Sequence, residues 1–275
     1  MITKCLFPVA GYGTRFLPAT KAQPKEMLPV LTKPLIQYGV EEALEAGMKN
    51  IAFVTGRTKR AIEDHFDITY ELEDQISGTS KESSLDGIRE LIDLCTFSYT
   101  RQIHMRGLGD AILTGETLIG EKPFGVILAD DLCVGEPDNV MAQMVRIYEK
   151  YHCSVVAMEE VPSGEVYKYG IISGQLLDDG CIRVERMVEK PAPQDAPSNL
   201  AIIGRYILTP DIFDVLRNTP PGKNGEVQIT DALQTQAANG KVIAYRFQGK
   251  RFDCGSVEGF VEATNFFFKR RGEAR

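Results

Sequence analysis

The chain's 275 residues are 43% hydrophobic and 25% charged, enough apolar material for a full core without covalent staples. Its 31 basic against 38 acidic residues leave a net charge of −7, which argues against a general binder of nucleic acid or anionic membrane, whose affinity needs a basic surface. A local positive pocket remains compatible with that balance, and the length favours one large α/β domain over two small ones.

The N-terminal MITKCLFPVAG has neither the length nor the small-residue cleavage site of a secretory signal, and no apolar run approaches membrane-spanning length. The six cysteines (Cys5, Cys95, Cys133, Cys153, Cys181 and Cys254) are scattered, with no close pair and no zinc-site spacing. These features predict a cytoplasmic protein whose thiols are reduced and packed in the core.

In chain order, KCLFPVA (4–10) reads as a first strand, and PLIQYGVEEALEAG (34–47) as a helix with apolar residues at helical spacing and a terminal glycine. NIAFVTG (50–56) is a second strand. The polar stretch 71–95 is long for a connection, so helices on the surface or over the site are expected there. SYTRQI (98–103) is a candidate strand, GDAILTGETLIG (109–120) a helix, FGVILADD (124–131) an apolar strand ending in two aspartates, and NVMAQMVRIYEKY (139–151) a helix. Short strands follow at CSVVAMEEV (153–161), RVERMVEK (183–190), AIIGRYIL (201–208) and KVIAYRF (241–247), broken by turns such as DDG and NG. The apolar C-terminal FVEATNFFFKRR (260–271) suits either core or interface. Strands alternating with helices predict an α/β fold, an open, largely parallel sheet covered on both faces, with a more β-rich, mixed extension in the second half.

The opening stretch FPVAGYGTRFLPATKAQPKEMLP carries the chemistry. A strand ending on Gly11 and Gly13 lets backbone N–H groups approach a ligand, and in α/β sheets ligands bind at the carboxyl ends of the strands. With Arg15, Lys21 and Lys25 following, the loop reads as a polyphosphate cradle; the alternative is a tight turn with solvated basic residues. There is no GxGxxG and no GKT or GKS, so a nicotinamide-dependent oxidoreductase or a P-loop enzyme fits poorly. No histidine among His65, His104 and His152 has ligand spacing.

The pattern G-x-G-T-R followed by P-K resembles that of the sugar-nucleotide pyrophosphorylases, nucleotidyltransferases that join a sugar 1-phosphate to a nucleoside triphosphate. The resemblance continues through KPLIQY, RGLGDA, LADD, YKYGII, MVEKP, APSNLAIIGRYIL, GEVQITDAL and DCGS, nearly the whole chain. It implies a Rossmann-like three-layer α/β/α fold with a mixed, mostly parallel central sheet, the nucleotide-diphospho-sugar transferase fold. It also implies a single domain, with 1–135 mainly nucleotide-binding and 136–275 mainly sugar-binding plus a C-terminal helix. Within the family it points to the members that take UTP and glucose 1-phosphate, release UDP-glucose and pyrophosphate, use Mg²⁺, and assemble as homodimers or homotetramers. A relative using dTTP or another sugar phosphate is the nearest alternative. A regulatory subunit that only binds nucleotide-sugars ranks below it, because Arg15, Lys25, Asp130 and Lys190 are all present.

By the same resemblance, Ala10, Gly11, Gly13 and Thr14 hold the nucleotide, Arg15 grips the triphosphate, and Lys25 neutralises charge where the two phosphates meet. Glu26 is placed at the ribose or else is an exposed structural glutamate. Gln102 and Gly107 face the base. Asp110 stands where the family commonly has histidine, and is expected to cap the following helix. Asp130 and Asp253 match the metal-binding aspartates, with Asp131 structural. Gly170, Glu189 and Lys190 form the sugar-phosphate end. Glu226 and Gln228 line the sugar pocket or a subunit contact, and Thr230 or Asp231 caps a helix. Val257 follows DCGS where some members carry a basic residue, so no anion contact is carried over there.

Overall fold

The computed structural model describes residues 1–222 and 225–273. Strand β1 (Lys4–Pro8) has Cys5, Leu6 and Phe7 wholly buried, as a strand covered on both faces must. Three short 3-10 turns lead to a hairpin, β2 (Pro29–Val30) and β3 (Lys33–Pro34), and into helix α1 (Leu35–Glu45). Next come β4 (Asn50–Thr55), the surface helices α2 (Arg60–His65), α3 (Tyr70–Ile76) and α4 (Asp86–Leu94), and β5 (Thr96–Arg101). The long polar stretch is thus helical and superficial, and none of its residues lines the cavities of the site.

The helix expected over 109–120 is two, α5 (Leu108–Thr114) and α6 (Glu116–Ile119), parted at Gly115, where a Cβ would come within 2.5 Å of Leu6 Cδ1. The strand expected over 124–131 also divides. β6 (Phe124–Ile127) ends in a turn in which the Asp131 amide donates to the Leu128 carbonyl at 3.1 Å, and β7 (Asp131–Gly135) starts in a different sheet. Beyond it lie α7 (Val140–Tyr151), β8 (Ser154–Glu160), β9 (Gly170–Leu176), β10 (Ile182–Glu189) and β11 (Leu200–Leu208). The described chain closes with α8 (Ile212–Asn218), α9 (Ile229–Ala237), β12 (Val242–Arg246), β13 (Gly249–Asp253) and α10 (Val257–Glu273).

One nine-stranded sheet runs in the order β5-β4-β1-β6-β11-β8-β12-β10-β9. All of its strands point the same way except β10 and β11, so the sheet is mixed and mostly parallel. β11 pairs with β6 through Arg205–Leu208 and with β9 through Leu200 and Ala201, which curls the second half round on itself. Helices cover both faces. Leu6 joins the core built with α5, α8 and α9, while Cys5 and Phe7 join the one built with α1, α2 and α7, giving three layers.

A small second sheet, β13 with β7, sits at the carboxyl ends of the main strands and pairs Asp253 with Asp131. Its Leu132 and Phe252 pack with Phe260, Ala263, Phe266 and Phe267 of α10, while Val257, Val261 and Phe268 face outward. All six cysteines are free thiols, and Cys5, Cys95, Cys181 and Cys254 are buried. No described helix is long and apolar enough to cross a membrane.

One buried ion pair ties α1 to the turn after β6. Arg205, 1% exposed, donates from Nε and Nη2 to the Glu42 carboxylate at 2.8–3.1 Å and from Nη1 to the carbonyls of Leu128 and Gly204. Glu42 also accepts from the Met141 amide at 3.1 Å. Removing one partner strands the other charge in the core, whereas removing both does not. We expect Glu42→Ala to lose ~3–5 kcal/mol in urea unfolding, and the double variant Glu42→Leu/Arg205→Met to lose clearly less.

Candidate active site

The glycine loop leaves β1 at the sheet's carboxyl edge. A Cβ on Gly11 would meet no protein atom within 4 Å, so the space above it is open. The amides of Ala10, Gly11, Tyr12 and Gly13 donate to no protein acceptor among the described residues. Such a row of unpartnered N–H groups is a natural anion cradle. Gly13 has a different task. It adopts φ 67° and carries the chain back over Lys25, whose Cβ would lie 3.0 Å from any Cβ at Gly13, while its carbonyl accepts from Thr20 Oγ1 at 2.7 Å. Thr14 is exposed, and neither it, Gly13 nor Lys21 lines the cavities described next.

Two cavities adjoin at the ends of β1 and β6. One, of about 380 Å³, is lined by Ala10, Gly11, Lys25, Glu26, Gln102 and Gly107, among others. The other, of about 320 Å³, is lined by Arg15, Gly170, Glu189, Lys190, Asp253 and their neighbours. They share Leu108, Leu128, Asp130 and Glu226. The candidate nucleotide and sugar-phosphate residues therefore separate into two chambers with Asp130 on the common wall.

At that wall Lys25 Nζ donates to Asp130 Oδ2 at 2.5 Å. Burial works against both charges, but the surrounding groups together prevail: Asp130, then Glu26, hold Lys25 above the ordinary lysine pKa, and Lys25, with a backbone hydrogen bond and Arg15, holds Asp130 below the ordinary carboxylate range. Beneath them lies a buried pair that the sequence reading did not anticipate. Lys59 Nζ donates to Glu26 Oε2 at 2.7 Å, and both side chains are 2% exposed. Burial pushes Glu26 up and Lys59 down, each partly offset by the other's charge. Glu26 is thus no exposed structural residue. Lys59 follows the end of β4, the strand beside β1, and that position at the carboxyl edge was the available signal.

Asp131 is committed to the fold. It accepts from the Gly204 amide at 2.7 Å and from Arg251 Nε at 2.6 Å, and forms an ion pair with Arg251 Nη2. Arg251, also unassigned from sequence, further donates to Glu159 at 2.6 Å and lies over the Tyr169 ring. Asp253 is left closer to the chamber. Burial pushes its pKa up, as do Asp131 and then Asp130, with Arg251 opposing them. A Cβ on Gly255 would stand 3.0 Å from both Asp130 Oδ2 and Asp253 Oδ1, and 3.1 Å from Arg15 Nη1. The two carboxylates and the guanidinium therefore converge. Oxygen-only donors in an acid-rich spot fit a hard divalent cation. No group of three or more His, Cys, Asp or Glu among the described residues is placed to hold a metal, so such a cation would take its remaining ligands from phosphate and water.

In the first chamber Gln102, 5% exposed, donates from Nε2 to Asp110 Oδ2 at 2.7 Å and to the Gly107 carbonyl at 3.3 Å. Asp110 is not the expected cap. The residue preceding α5 is Gly107, no side chain caps this helix, and Asp110 lies inside its first turn. The cap fails because Gly107, at φ 93°, takes the turn itself, and a Cβ there would meet Glu226 Cβ and the Val227 carbonyl at 2.9 Å.

In the second chamber Thr230 Oγ1 donates to Glu189 Oε2 at 2.7 Å, and a Cβ on Gly170 would stand 3.0 Å from that hydroxyl. Thr230 and Asp231 cap nothing either: Gln228 precedes α9, without a side-chain cap, because the threonine is drawn to Glu189. Gln228 Nε2 donates to Glu226 Oε2 at 3.0 Å, and both line this chamber. Lys190, its Nζ 3.3 Å from Glu189 Oε1, adopts φ 45°, a left-handed conformation that costs a non-glycine residue roughly 1–3 kcal/mol and collects at ligand sites.

The chain as a whole is similar to known proteins. The nucleotidyl transferase family matches residues 8–270. The chain is 67% identical over 270 residues to a UTP–glucose-1-phosphate uridylyltransferase of Pseudomonas aeruginosa, covering 98% of this chain and 97% of that protein. A solved apo UDP-glucose pyrophosphorylase matches with a TM-score of 0.95 at 62% identity, over 98% of this chain and 100% of the other. A UDP-glucose pyrophosphorylase complexed with UDP-glucose matches at 0.92 and 60%, over 98% and 100%. With nearly its full length matched, its glycine loop and paired aspartates inside the matched span, this chain belongs to the nucleotidyl transferase family.

Proposed function

We propose that this enzyme makes UDP-glucose and pyrophosphate from UTP and glucose 1-phosphate. The observation that carries the reading is the pair of chambers meeting at the Lys25–Asp130 ion pair, with Arg15 reaching the same wall from the second chamber. A phosphate oxygen of glucose 1-phosphate attacks the α-phosphorus of UTP, one P–O bond forms, and the bond to the β-phosphate breaks to release pyrophosphate. The attacking monoester has its second pKa near 6 and arrives ionised at neutral pH, so no protein base is required. What the protein supplies is placement and charge.

In this reading the Ala10 and Gly11 amides and Arg15 receive the triphosphate, while Gly13 and Thr14 shape the turn that presents them. Lys25 lies between the two reacting phosphates. Glu26, with one oxygen taken by Lys59, faces the ribose, and Gln102 and Gly107 face the base. Gly170, Glu189 and Lys190 receive the glucose 1-phosphate, the glutamate accepting from sugar hydroxyls and the lysine pairing with phosphate. Asp130 and Asp253 would hold Mg²⁺, which when bound supplies neutralising charge at the phosphate oxygens. We place the enzyme in the cytoplasm as a homodimer or homotetramer, and the outward Val257, Val261 and Phe268 of α10 support an assembly through that helix.

Incubation with UTP, glucose 1-phosphate and Mg²⁺ should release pyrophosphate, with dTTP slower in parallel; no release from UTP would overturn the reading. Lys25→Ala should keep a native circular dichroism spectrum and lose ~10²–10³-fold in kcat, the scale for one donor to developing charge. Asp130→Asn should move the Mg²⁺ titration to higher concentration by at least the ~10–100-fold that loss of an outer-shell partner costs. An unchanged titration would remove Asp130 from the metal site.

A further inference from the structure

We infer that Asp110 is a specificity-determining positioning residue, which fixes the direction of the Gln102 carboxamide so that the first chamber accepts uracil and rejects cytosine. The inference rests on the uridine-nucleotide reading above and deepens it. A carboxamide presents nearly the same outline with its oxygen and nitrogen exchanged, so Gln102 alone can offer either an acceptor or a donor to a base. Its surroundings remove that freedom. The two groups that Nε2 meets are a carboxylate oxygen of Asp110 at 2.7 Å and the Gly107 carbonyl at 3.3 Å. Both are acceptors, so the opposite orientation would set Oε1 against two oxygens, one of them charged.

The backbone is held as well, because the Gln102 amide donates to the Thr55 carbonyl at 2.9 Å. Among the described residues Oε1 has no protein donor, yet none of their buried side-chain N or O atoms lacks a partner. That oxygen therefore reaches the chamber that Gln102 lines with Met105, Leu108 and Ala111. An acceptor fixed there pairs with the N3–H of uracil and opposes the unprotonated N3 of cytosine. A site built around a fixed hydrogen-bonding group rejects a mismatched ligand strongly, because the mismatch leaves the buried group unpaired.

Two substitutions separate direction from stability. Asp110→Asn keeps the shape and keeps a hydrogen bond to Gln102, but asparagine can accept or donate, so the pair becomes reversible. Asp110→Leu removes the partner. Affinities of wild type and both variants for UTP and CTP would be measured by calorimetry, together with pyrophosphate release from each and the KM for glucose 1-phosphate. We expect the UTP-over-CTP ratio to fall ~10–100-fold in both variants, through weaker UTP and stronger CTP binding, with the KM for glucose 1-phosphate unchanged. A merely structural aspartate would lower thermal stability and leave the ratio as in wild type. Wild-type selectivity in Asp110→Asn overturns the inference even if Asp110→Leu fails to fold. Wild type that binds neither nucleotide and releases no pyrophosphate from UTP overturns instead the functional reading on which it rests.

Discussion

The ion pair between Lys25 and Asp130 is the contact around which the site is arranged. It joins residues 105 positions apart in sequence, one from the loop after β1 and one from the turn after its neighbour β6, and stands where the chambers meet. A lysine placed there uncompensated would bear the full desolvation cost of a buried cation. The aspartate beside it keeps it charged, and a charged lysine is what a site for two anions needs.

Holding those two groups together takes a deeper set of charges. Lys59 and Glu26 sit under Lys25, and Arg205 with Glu42 braces the carbonyls of Leu128 and Gly204 on either side of the turn that carries Asp130. Asp131 takes the Gly204 amide and the Arg251 guanidinium, so the second aspartate of the doublet serves the backbone while the first faces the cavity. Buried pairs of this kind add little net stability compared with apolar residues of the same size. Their effect here is geometric: Arg205–Glu42 joins a strand to a helix, Arg251–Asp131 joins two strands, and Lys59–Glu26 joins two of the loops that leave the sheet's edge.

Much of this was legible in the residues. Apolar runs marked where several strands lie, the glycine loop fell at a carboxyl edge, and the alternation of elements pointed to the layered sheet, because all three depend on local pattern. The Lys59–Glu26 and Arg251–Asp131 pairs were not legible, because each joins segments that only the folded sheet brings together, and a lysine or arginine in a loop looks solvated in sequence. Strand 124–131 looked continuous because Leu128 and Ala129 are as apolar as their neighbours. It breaks because Asp131 turns aside to meet Gly204 and Arg251. Thr230 and Asp110 carried capping chemistry at apparent helix starts, but a carboxylate on another strand and an amide on another loop competed for them and won.

Apart from Glu226, the first chamber is lined by residues before 136, and the second mostly by residues after it, but one segment spans the two. Arg15, from the N-terminal loop, lines the second chamber, and Glu226 lines both. Residues next to Glu226 brace the two ends directly: the Val227 amide donates to the Arg106 carbonyl at 2.7 Å, its carbonyl accepts from the Gly109 amide at 2.9 Å, and Thr230 holds Glu189. Gly107 and Gly109 are the residues a Cβ would force away from this segment, and Gly170 is the one it would force away from Thr230. A shift of 226–230 therefore disturbs both the loop bearing Gln102 and the strand end bearing Glu189. One short segment sets the distance between the two chambers, and in a reaction whose rate depends on how closely two phosphates are brought together, that distance is as consequential as any charge beside them.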